Sequence, residues 1–407
     1  MTQIEQLIKD MCPYGVEFKK LGEVLDYEQP TPYLVNDTNY DDSYPTPVLT
    51  AGQSFILGYT DEQTGIYKAT KETPTIIFDD FTTSFHWVDF DFKVKSSAMK
   101  MLRPKKGANI IFRFVYYAMQ CIKFQATEHT RYWISKYSQF EIPIPPLEIQ
   151  KKIVECLDKF SALAAELQAE LQMRRKQYEY YRTHLLTPHS GSNSADKSDD
   201  RNWVWKTFAE LGTFYGGLSG KTKEDFKEGN AKYITYLNIG CNPALRLDIL
   251  ETVNVGPNEK QNTVKYGDAL FTGSSETPDE CAMSSVLVDQ PTENIYLNSF
   301  CFGFRFNSLD AIWPAFYKHY FRCEAFRKAV RRTANGTTRF NISKKEFAKL
   351  SIPIPSLNEQ KRIADILDKF EALTTSLSDG IPAEQAAQQK RYEYYRDLLL
   401  TFPRKAV

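Results

Sequence analysis

The sequence predicts an α+β fold with an internal repeat, in which two mixed, mainly antiparallel-sheet domains alternate with two long helices. Three observations support this prediction. A segment of 19 residues occurs twice, each copy continues with apolar residues at the 3.5-residue period of a coiled coil, and the stretches between show strand-like alternation. A chain of 407 residues also exceeds the usual size of one compact core.

The repeated segment reads IPIPPLEIQKKIVECLDKF at 142–160 and IPIPSLNEQKRIADILDKF at 352–370, a displacement of 210 positions. Further along, QYEYYRTHLLTP at 177–188 returns as RYEYYRDLLLTFP at 391–403. There the displacement is 214 positions, so the second copy contains four extra residues inside the repeat. The chain is therefore a duplication.

Each copy is predicted to start a long helix just after its prolines, because proline is tolerated in the first turn of a helix. In the first copy, from Pro146 to about Leu186, the seam contains Ile153, Leu157, Phe160, Ala164, Leu167, Leu171, Arg174, Tyr178, Tyr181 and Leu185. In the second copy it contains Ile363, Leu367, Phe370, Leu377 and Ile381, followed after the insertion by Tyr392, Tyr395 and Leu399. Gly380 and Pro382 lie at the insertion, where we expect a kink or a short break.

Two inserts of unlike sequence separate these helices from earlier matching segments, GVEFKKLGEV at 15–24 and NWVWKTFAELG at 202–212. Both inserts show strand-like stretches followed by aromatic, helical ones. The predicted strands are 73–78 and the alternating residues 85–94 in the first insert, and 268–273, 285–289 and the alternating Phe300, Phe302, Phe304 and Phe306 in the second. The predicted helical stretches are 110–120 and 312–332.

Composition gives no global indication of an anionic partner, because Lys plus Arg equals Asp plus Glu at 51 each. No run of 18 apolar residues occurs, and the amino-terminal residues MTQIEQLIKDMC lack the features of a signal peptide. We therefore expect a cytoplasmic protein without membrane contact. The seven cysteines form no C-x-x-C pair, which indicates reduced thiols.

Catalytic motifs are missing from the sequence: it contains no H-E-x-x-H, G-x-S-x-G or helix-opening G-x-G-x-x-G. The stretch GGLSGKT at 216–222 has three residues between its outer glycines where a phosphate loop has four. Asp79 and Asp80 are interpreted as surface acids at a strand end rather than as a metal pair. Glu276, Asp279 and Glu280 share a loop without the nearby lysine that a nuclease site would add.

Local basic patches remain as candidates for phosphate binding. They comprise Lys93, Lys95, Lys100, Arg103, Lys105 and Lys106 in the first insert, and Lys318, Arg322, Arg327, Lys328, Arg331, Arg332 and Arg339 in the second. Between 318 and 332 only Glu324 opposes six positive charges. A solvated helix face is the alternative, but similar basic character in two otherwise unlike inserts favours a phosphate-tracking face.

The doubled IPIP to LDKF segment, the KLGEV and AELG segments before the inserts and the paired YEYYR ends resemble the specificity subunit of type I restriction-modification systems, over the whole chain. The stretches 79–102 and 267–288 are similar to parts of its target recognition domains. The resemblance implies that each insert reads one half of a bipartite, asymmetric site in double-stranded DNA. It also implies that the two long helices pair as an antiparallel coiled coil with pseudo-twofold symmetry and set the spacing.

The resemblance further implies partners: the helical regions bind two methyltransferase subunits, and restriction subunits join that core. The chain is then a non-catalytic subunit of a restriction and adenine-methylation complex. No cofactor or metal is expected in the chain itself, and S-adenosylmethionine and ATP are expected on the partner subunits. One departure is visible, because AAELQAEL at 164–171 is replaced by SDGIPAEQ at 378–385, so the spacer is not fully symmetric.

The resulting domain organisation has six parts. They are a conserved amino-terminal segment (1–22), target recognition domain 1 (23–145), spacer helix 1 (146–188), a linker (189–202), target recognition domain 2 (203–355) and spacer helix 2 (356–403).

Two groups of candidate site residues follow. Side chains able to contact bases or phosphates are Thr82, Thr83, Ser84, Lys100, Arg103, Lys221, Ser274, Ser275, Thr277, Arg331, Arg332 and Arg339, with Glu276 in the same loop as the two serines. Spacer and methyltransferase-docking residues are Gln150, Ile153, Leu157, Phe160, Tyr178, Tyr181, Gln360, Ile363, Leu367, Phe370, Tyr392 and Tyr395.

The sequence leaves two alternative functions. In one, the chain is a coiled-coil scaffold with two partner-binding modules and no DNA reading. In the other, the chain is itself an adenine methyltransferase, but its nearest match to the required N/D-P-P-Y/F motif is NPAL at 242–245, which lacks the second proline and the aromatic residue. The methyltransferase interpretation ranks last.

Overall fold

A computed structural model of the chain describes residues 3–52, 54–127, 130–187, 203–376 and 380–405. The chain divides into a first unit, Met1–Gln168 with Glu384–Val407, and a second unit, Ala169–Ala383. The predicted linker 189–202 and the seam residue Leu377 lie outside the described residues. None of the helices in the described ranges combines the length and apolar character that a membrane-spanning helix requires.

The elements of the first half, in chain order, are α1 (Gln3–Met11), β1 (Glu17–Lys20), α2 (Leu21–Val24), β2 (Leu25–Glu28), β3 (Thr46–Leu49), β4 (Ile56–Thr60), β5 (Thr75–Asp79), β6 (Phe85–Val88), β7 (Lys93–Val94), β8 (Met99–Pro104), α3 (Phe112–Gln120), α4 (Tyr132–Ser135), β9 (Glu141–Ile144) and α5 (Leu147–Leu186). Those of the second half are β10 (Val204–Thr207), α6 (Phe208–Leu211), β11 (Gly212–Gly216), β12 (Ala231–Ile234), α7 (Tyr236–Cys241), β13 (Glu251–Val253), β14 (Ala269–Thr272), β15 (Ser274–Ser275), β16 (Ser284–Val286), β17 (Ile295–Leu297), β18 (Cys301–Phe306), α8 (Pro314–Tyr320), α9 (Glu324–Arg331), β19 (Ala334–Asn335), β20 (Phe340–Ile342), α10 (Lys344–Phe347), β21 (Ser351–Ile354), α11 (Leu357–Thr375) and α12 (Ile381–Leu400).

The two inserts form the same pair of sheets although their sequences differ. Each has a four-stranded antiparallel sheet, with order β2-β8-β5-β6 in the first insert and β11-β18-β14-β16 in the second. Each also has a three-stranded sheet, β4-β3-β7 or β13-β12-β17, whose last pair is parallel. The predicted fold class, mixed and mainly antiparallel, is confirmed.

One strand prediction was wrong, because residues 85–94 do not form a continuous strand. They divide into β6, which belongs to the four-stranded sheet, and β7, which belongs to the three-stranded one. Between them Phe92 exchanges backbone hydrogen bonds with Tyr67, at 2.8 and 3.1 Å. The period-two pattern persists because the chain stays largely extended while it passes from one sheet to the other.

The repeated segments before and after each insert pair with each other. Strand β1 runs antiparallel to β9, with Glu17 opposite Ile144, and β10 runs antiparallel to β21, with Val204 opposite Ile354. The Ile-Pro-Ile stretch therefore belongs to a short strand, and the helix begins only after it. These two ribbons bring the beginning and the end of each insert together.

A fully buried glutamine joins the start of each long helix to the rest of its unit. The side-chain oxygen of Gln150 accepts the backbone N–H of Ile111 at 2.8 Å, and that of Gln360 accepts the N–H of Trp313 at 2.7 Å. In both copies the side-chain nitrogen donates to the carbonyl of the second proline in Ile-Pro-Ile-Pro, at 2.8 Å. Losing either glutamine would leave buried polar groups unpaired, at a cost of about 1–3 kcal/mol each.

The first long helix is continuous over 40 residues, whereas the second is broken. Helix α11 ends at Thr375 and α12 begins at Ile381, which confirms the expected break. Gly380 packs so closely that a Cβ there would lie 2.6 Å from the carbonyl oxygen of Ala372. Only glycine fits this contact.

The helix pairs are formed by opposite copies of the repeat. In the first unit Phe160 of α5 stacks on Tyr395 of α12, with ring centroids 5.5 Å apart, and Gln385 donates a hydrogen bond to Gln168 at 3.0 Å. Residue numbers rise along one helix as they fall along the other, so the pairing is antiparallel. In the second unit Phe370 of α11 stacks on Tyr181 of α5 at 5.3 Å. The predicted antiparallel pairing is confirmed.

Candidate nucleic-acid interface

The two loops predicted to contact DNA occupy equivalent positions in the two inserts. The Thr82–Ser84 loop joins β5 to β6, and the Ser274–Thr277 segment, which includes the short strand β15, lies between β14 and β16. These strand pairs hold the same places in the two four-stranded sheets. The sequence did not show this equivalence, because no residue pattern is common to the two loops.

In the first insert, Asp79 organises the tight turn. Its carboxylate accepts the backbone N–H groups of Phe81 and Thr82 at 2.9 and 2.8 Å, and Thr83 adopts a φ of 60°. The hydroxyls of Thr82 and Ser84 lie 2.6 Å apart, and Thr82 is exposed while Thr83 is buried. The turn therefore presents Thr82 and Ser84, rather than Thr83, to a ligand.

Two other residues of the first insert have different environments from those predicted. The ammonium of Lys100 lies 3.2 Å from the carboxylate of Asp80, and both side chains are 1 % exposed. Asp80 also accepts the backbone N–H of Trp133 at 2.8 Å. The prediction that Asp80 is a surface acid was wrong, and Lys100 is not accessible for a DNA contact because it neutralises this buried carboxylate.

Arg103 and Lys221 differ in accessibility. Arg103 is exposed, donates to the hydroxyl of Tyr67 at 2.6 Å and lies over the same ring at 4.8 Å. Lys221 is nearly buried and lies 2.5 Å from the carboxylate of Glu259. Hydrogen bonds from Lys221, from the side chain of Gln261 and from the backbone of Gly256 together lower the pKa of Glu259 to about 2. Arg103 therefore remains a candidate contact, whereas the charge of Lys221 is already compensated.

The prediction that the cations of 318–332 form one continuous basic surface was wrong. Arg322 donates to the carbonyl of Ser284 at 2.8 Å, and Arg327 donates to that of Ala282 at 2.7 Å. Burial lowers the pKa of Arg322 to about 10 and also lowers that of Arg327. Sequence spacing could not show this, because the carbonyl partners lie far away in the chain.

The outer end of this stretch is only partly free. Arg331 forms ion pairs with Asp279, at 2.6 Å, and with Glu324. Arg332 and Lys328 are exposed. These two side chains are the cations of the predicted face that remain accessible to phosphate.

A pocket of about 530 Å³ in the second insert gathers several predicted side chains, and we call it the second-insert pocket. Ser274, Ser275, Glu276 and Arg339 line it. Arg339 donates to the hydroxyl of Ser274 at 3.3 Å. Thr277, which was predicted with them, is exposed but does not line the pocket.

Four further lining residues were not predicted as site residues: Tyr236, Glu280, Phe300 and Thr338. Phe300 is 63 % exposed, whereas the three phenylalanines that follow it in the alternation are buried. The sequence contains one indication that Phe300 is exposed, because it is the first residue of the alternating run. In the structure it lies just outside β18. The structure thus adds an exposed aromatic ring and a second carboxylate to the side chains predicted for this site.

Six of the predicted spacer and docking residues are fully buried, and the other six are partly buried in ring stacks or packing between helices. The fully buried ones are Gln150, Ile153, Leu157, Gln360, Ile363 and Leu367. The partly buried ones are Phe160, Tyr178, Tyr181, Phe370, Tyr392 and Tyr395. The fully buried residues are therefore inaccessible to another protein, whereas Phe160 and Tyr392 also line a surface pocket.

Among the described residues of the long helices, the exposed aromatic side chains are Tyr180 and Tyr394, the middle tyrosines of the two YEYYR segments, at 63 % and 64 % exposed. They are equivalent positions in the repeat. Each helix pair therefore displays the same exposed ring.

One group of potential metal ligands occurs in the described residues, formed by His319, Asp368 and Glu371, with ligand atoms within 4.8 Å of one another. The ammonium of Lys318 lies 2.8 Å from Asp368 and 3.5 Å from Glu371. This ammonium pairs with both carboxylates and compensates one of their two negative charges, so the group forms an ion-pair network in this structure. In the first unit Asp158 occupies the equivalent position and pairs with Arg113 at 2.9 Å.

The duplicated fold, with two like-folded inserts joined by antiparallel helix pairs, is the architecture expected of a DNA-specificity subunit. The model of the type I restriction modification DNA specificity domain family matches residues 13–173 and 200–385. The chain therefore belongs to the type I restriction-modification specificity subunits, a non-catalytic family.

Several relatives support this membership. The chain is 39 % identical over 423 residues to the EcoR124I/EcoR124II specificity subunit of Escherichia coli, covering 99 % of this chain and 98 % of the relative. It is 29 % identical over 360 residues to a putative type I specificity subunit of Haemophilus influenzae, covering 86 % of each.

Solved structures share the fold. A type I S subunit from M. genitalium matches with a TM-score of 0.54 and 14 % identity, covering 95 % of this chain and 96 % of that one. A chain from a structural study of assembly and conformational transition of the type I R-M system matches with a TM-score of 0.54 and 17 % identity, covering 96 % and 98 %.

Proposed function

We propose that this chain is the DNA-reading subunit of a type I restriction-modification complex, in which each insert reads one half of a bipartite site in double-stranded DNA. The observation that carries the proposal is that two inserts of unlike sequence share two sheets of the same topology and have their candidate contact segments between equivalent strands. One scaffold with two sets of loop side chains is suited to two different base sequences. The site is therefore asymmetric.

Phosphate and base contacts have separate roles in such an interface. The candidates for base contacts are the hydroxyls of Thr82 and Ser84 in the first insert and the side chains of the second-insert pocket in the second. The exposed Arg332 and Lys328 are candidates for phosphate contacts, which release counterions and make binding salt-dependent.

The helix pairs set the spacing between the half-sites and dock two methyltransferase subunits. Tyr180 and Tyr394 support this part of the proposal, because two equivalent exposed rings fit two copies of one partner, and tyrosine is common in protein interfaces. The partner subunits bind S-adenosylmethionine and ATP, the methylated base is adenine, and restriction subunits join the methyltransferase core.

Domain exchange combined with methylation mapping tests the proposal. Residues 23–145 are replaced by the matching insert of a relative, and the methylated sequence is read from DNA exposed to the assembled complex. The expected result is a change in one half-site while the other half-site and the gap stay the same. An unchanged sequence, or simultaneous change of both halves, contradicts the proposal.

A gel-shift experiment separates this function from that of a scaffold without DNA contact. The complete complex should bind selectively to DNA that contains the sequence it methylates. Its affinity should fall steeply between about 50 and about 200 mM salt. A scaffold predicts no sequence-selective, salt-sensitive complex.

A further inference from the structure

We propose that the second-insert pocket selects a base with an exocyclic amino group, cytosine or adenine, through the carboxylates of Glu276 and Glu280. This inference rests on the proposed function, since it requires the second insert to contact DNA. It adds the chemical class of one recognised base and the groups that recognise it.

Hydrogen bonds from a buried side chain fix the conformation of the loop that carries the two carboxylates. The buried guanidinium of Arg327 donates to the carbonyls of Asp279, Cys281 and Ala282, at 2.6, 2.5 and 2.7 Å. Ala282 adopts a φ of 46°, which few non-glycine residues adopt. A loop fixed by three hydrogen bonds to one side chain presents its exposed residues at defined positions, as base recognition requires.

The charges of the pocket indicate what it accepts. Neither Glu276 nor Glu280 forms a salt bridge with a described residue, whereas Asp279 between them is paired with Arg331 at 2.6 Å. Arg339 is the cationic side chain that lines the same pocket. Two exposed carboxylates against one guanidinium leave an excess negative charge, which phosphates repel.

A carboxylate at a DNA surface becomes favourable when it accepts a hydrogen bond from a base. In the major groove the donors are the N4 amino group of cytosine and the N6 amino group of adenine, whereas guanine and thymine present acceptors in the corresponding places. The unpaired carboxylates therefore favour a base with an amino group and disfavour guanine and thymine.

Phe300 gives the pocket a fixed apolar edge. Its backbone N–H donates to the side chain of Asn298 at 2.9 Å, and its carbonyl accepts the N–H of Gly273 at 2.8 Å. A Cβ at Gly273 would lie 2.7 Å from that carbonyl oxygen, so glycine permits the approach. The exposed ring can then pack against the apolar edge of a base next to the one that the carboxylates recognise.

The test uses the complete complex with its methyltransferase subunits and a DNA library in which each position of both half-sites is varied. Glu276→Gln, Glu280→Gln and the double variant are compared with the wild type by the methylation of each sequence. We expect one position of the second half-site, cytosine or adenine in the wild type, to lose about 10-fold in its discrimination against guanine or thymine. The first half-site should not change.

Glu224→Gln is the matched control, because Glu224 is an exposed glutamate of the same insert that pairs with Lys227 and does not line the pocket. It makes the same change in charge and should leave the sequence preference intact. Phe300→Ala provides a second test and should weaken preference at a neighbouring position of the same half-site.

The outcomes separate this inference from the proposed function. If exchange of residues 203–355 changes the second half-site but the double glutamine variant keeps every preference of the wild type, the carboxylates do not read a base. If the exchange itself leaves the second half-site unchanged, the proposed function fails as well. A loss of preference at a position of the first half-site would also overturn the inference.

Discussion

Phe160 stacks on Tyr395 with ring centroids 5.5 Å apart and planes 27° apart, and Phe370 stacks on Tyr181 with the corresponding values of 5.3 Å and 24°. In each stack the phenylalanine comes from the Leu-Asp-Lys-Phe segment of one copy and the tyrosine from the YEYYR segment of the other. The duplication therefore encodes two equivalent contacts between copies. In each helix pair, the Leu-Asp-Lys-Phe segment of one copy therefore packs against the YEYYR segment of the other copy.

Removing one phenylalanine should destabilise only the helix pair to which it belongs. Phe160→Ala and Phe370→Ala each lose a half-buried ring, and we expect a cost of about 2–3 kcal/mol, below that of a fully buried phenylalanine. Hydrogen exchange should show faster exchange at the start of α5 and in α12 for the first variant, and in α11 and the end of α5 for the second. Tyr394→Ala, at an exposed ring, is the control and should change stability by less than about 0.5 kcal/mol. Equal effects of Phe160→Ala on both helix pairs would contradict this assignment.

The buried pair of Lys100 and Asp80 predicts a stability defect rather than a DNA-binding defect. Lys100→Met leaves a buried carboxylate without its counter-charge, at a cost of about 3–5 kcal/mol. Denaturant unfolding measures this cost, and Lys95→Met, at an exposed lysine of the same insert, should leave stability nearly unchanged. Adding Asp80→Asn to Lys100→Met should restore part of the loss. A stable Lys100→Met variant with weakened DNA affinity would instead support the original sequence-based assignment.

Because two equivalent tyrosines are exposed, we expect one chain to bind two methyltransferase subunits. Tyr180→Ala and Tyr394→Ala should each weaken the binding of one methyltransferase subunit, since each removes one of two equivalent rings, and the double variant should weaken both. Native mass spectrometry at decreasing protein concentration measures the loss of the first and second partner. Tyr14→Ala removes a ring that is 82 % exposed outside the long helices and should have no effect. Full occupancy of both sites in the double variant would exclude these rings as docking residues.

The pH dependence of the second unit should reflect Asp368. Burial raises the pKa of this carboxyl, but hydrogen bonds from His319 and Lys318 outweigh burial, so the net pKa is lowered. Its contribution to stability is therefore complete above the unfolded value, near pH 4, and is lost as the pH falls through the lower folded value. The difference in unfolding free energy between wild type and Asp368→Asn should be largest at neutral pH and shrink below pH 4. A difference that stays constant down to pH 3 would exclude this contribution.

The sequence was sufficient for the frame of the fold because its determinants are local or repeated. Proline before the helix, the 3.5-residue period and the glycine at the insertion each act within a few residues, and the structure has α5 and the break before Ile381 accordingly. The shared topology of the inserts was not predictable, since different side chains form the same two sheets in the two inserts. The site predictions for Lys100 and Lys221 relied on charge alone, while their accessibility depends on Asp80 and Glu259, far away in the sequence.

The length of α5 between its two aromatic stacks should determine the gap between the half-sites. Residues 164–171 lie between Phe160 and Tyr181 in an uninterrupted helix, so adding four residues there lengthens the helix by about 6 Å, under two base-pair rises. The rotation is about 40° beyond one full turn, so the apolar seam stays close to its original face. We therefore expect insertion or deletion of one four-residue step to change the unread gap and to leave both half-sites intact. Methylation mapping of genomic DNA from cells that carry the variant measures this directly, and a changed half-site with an unchanged gap would show that the helix does not set the spacing.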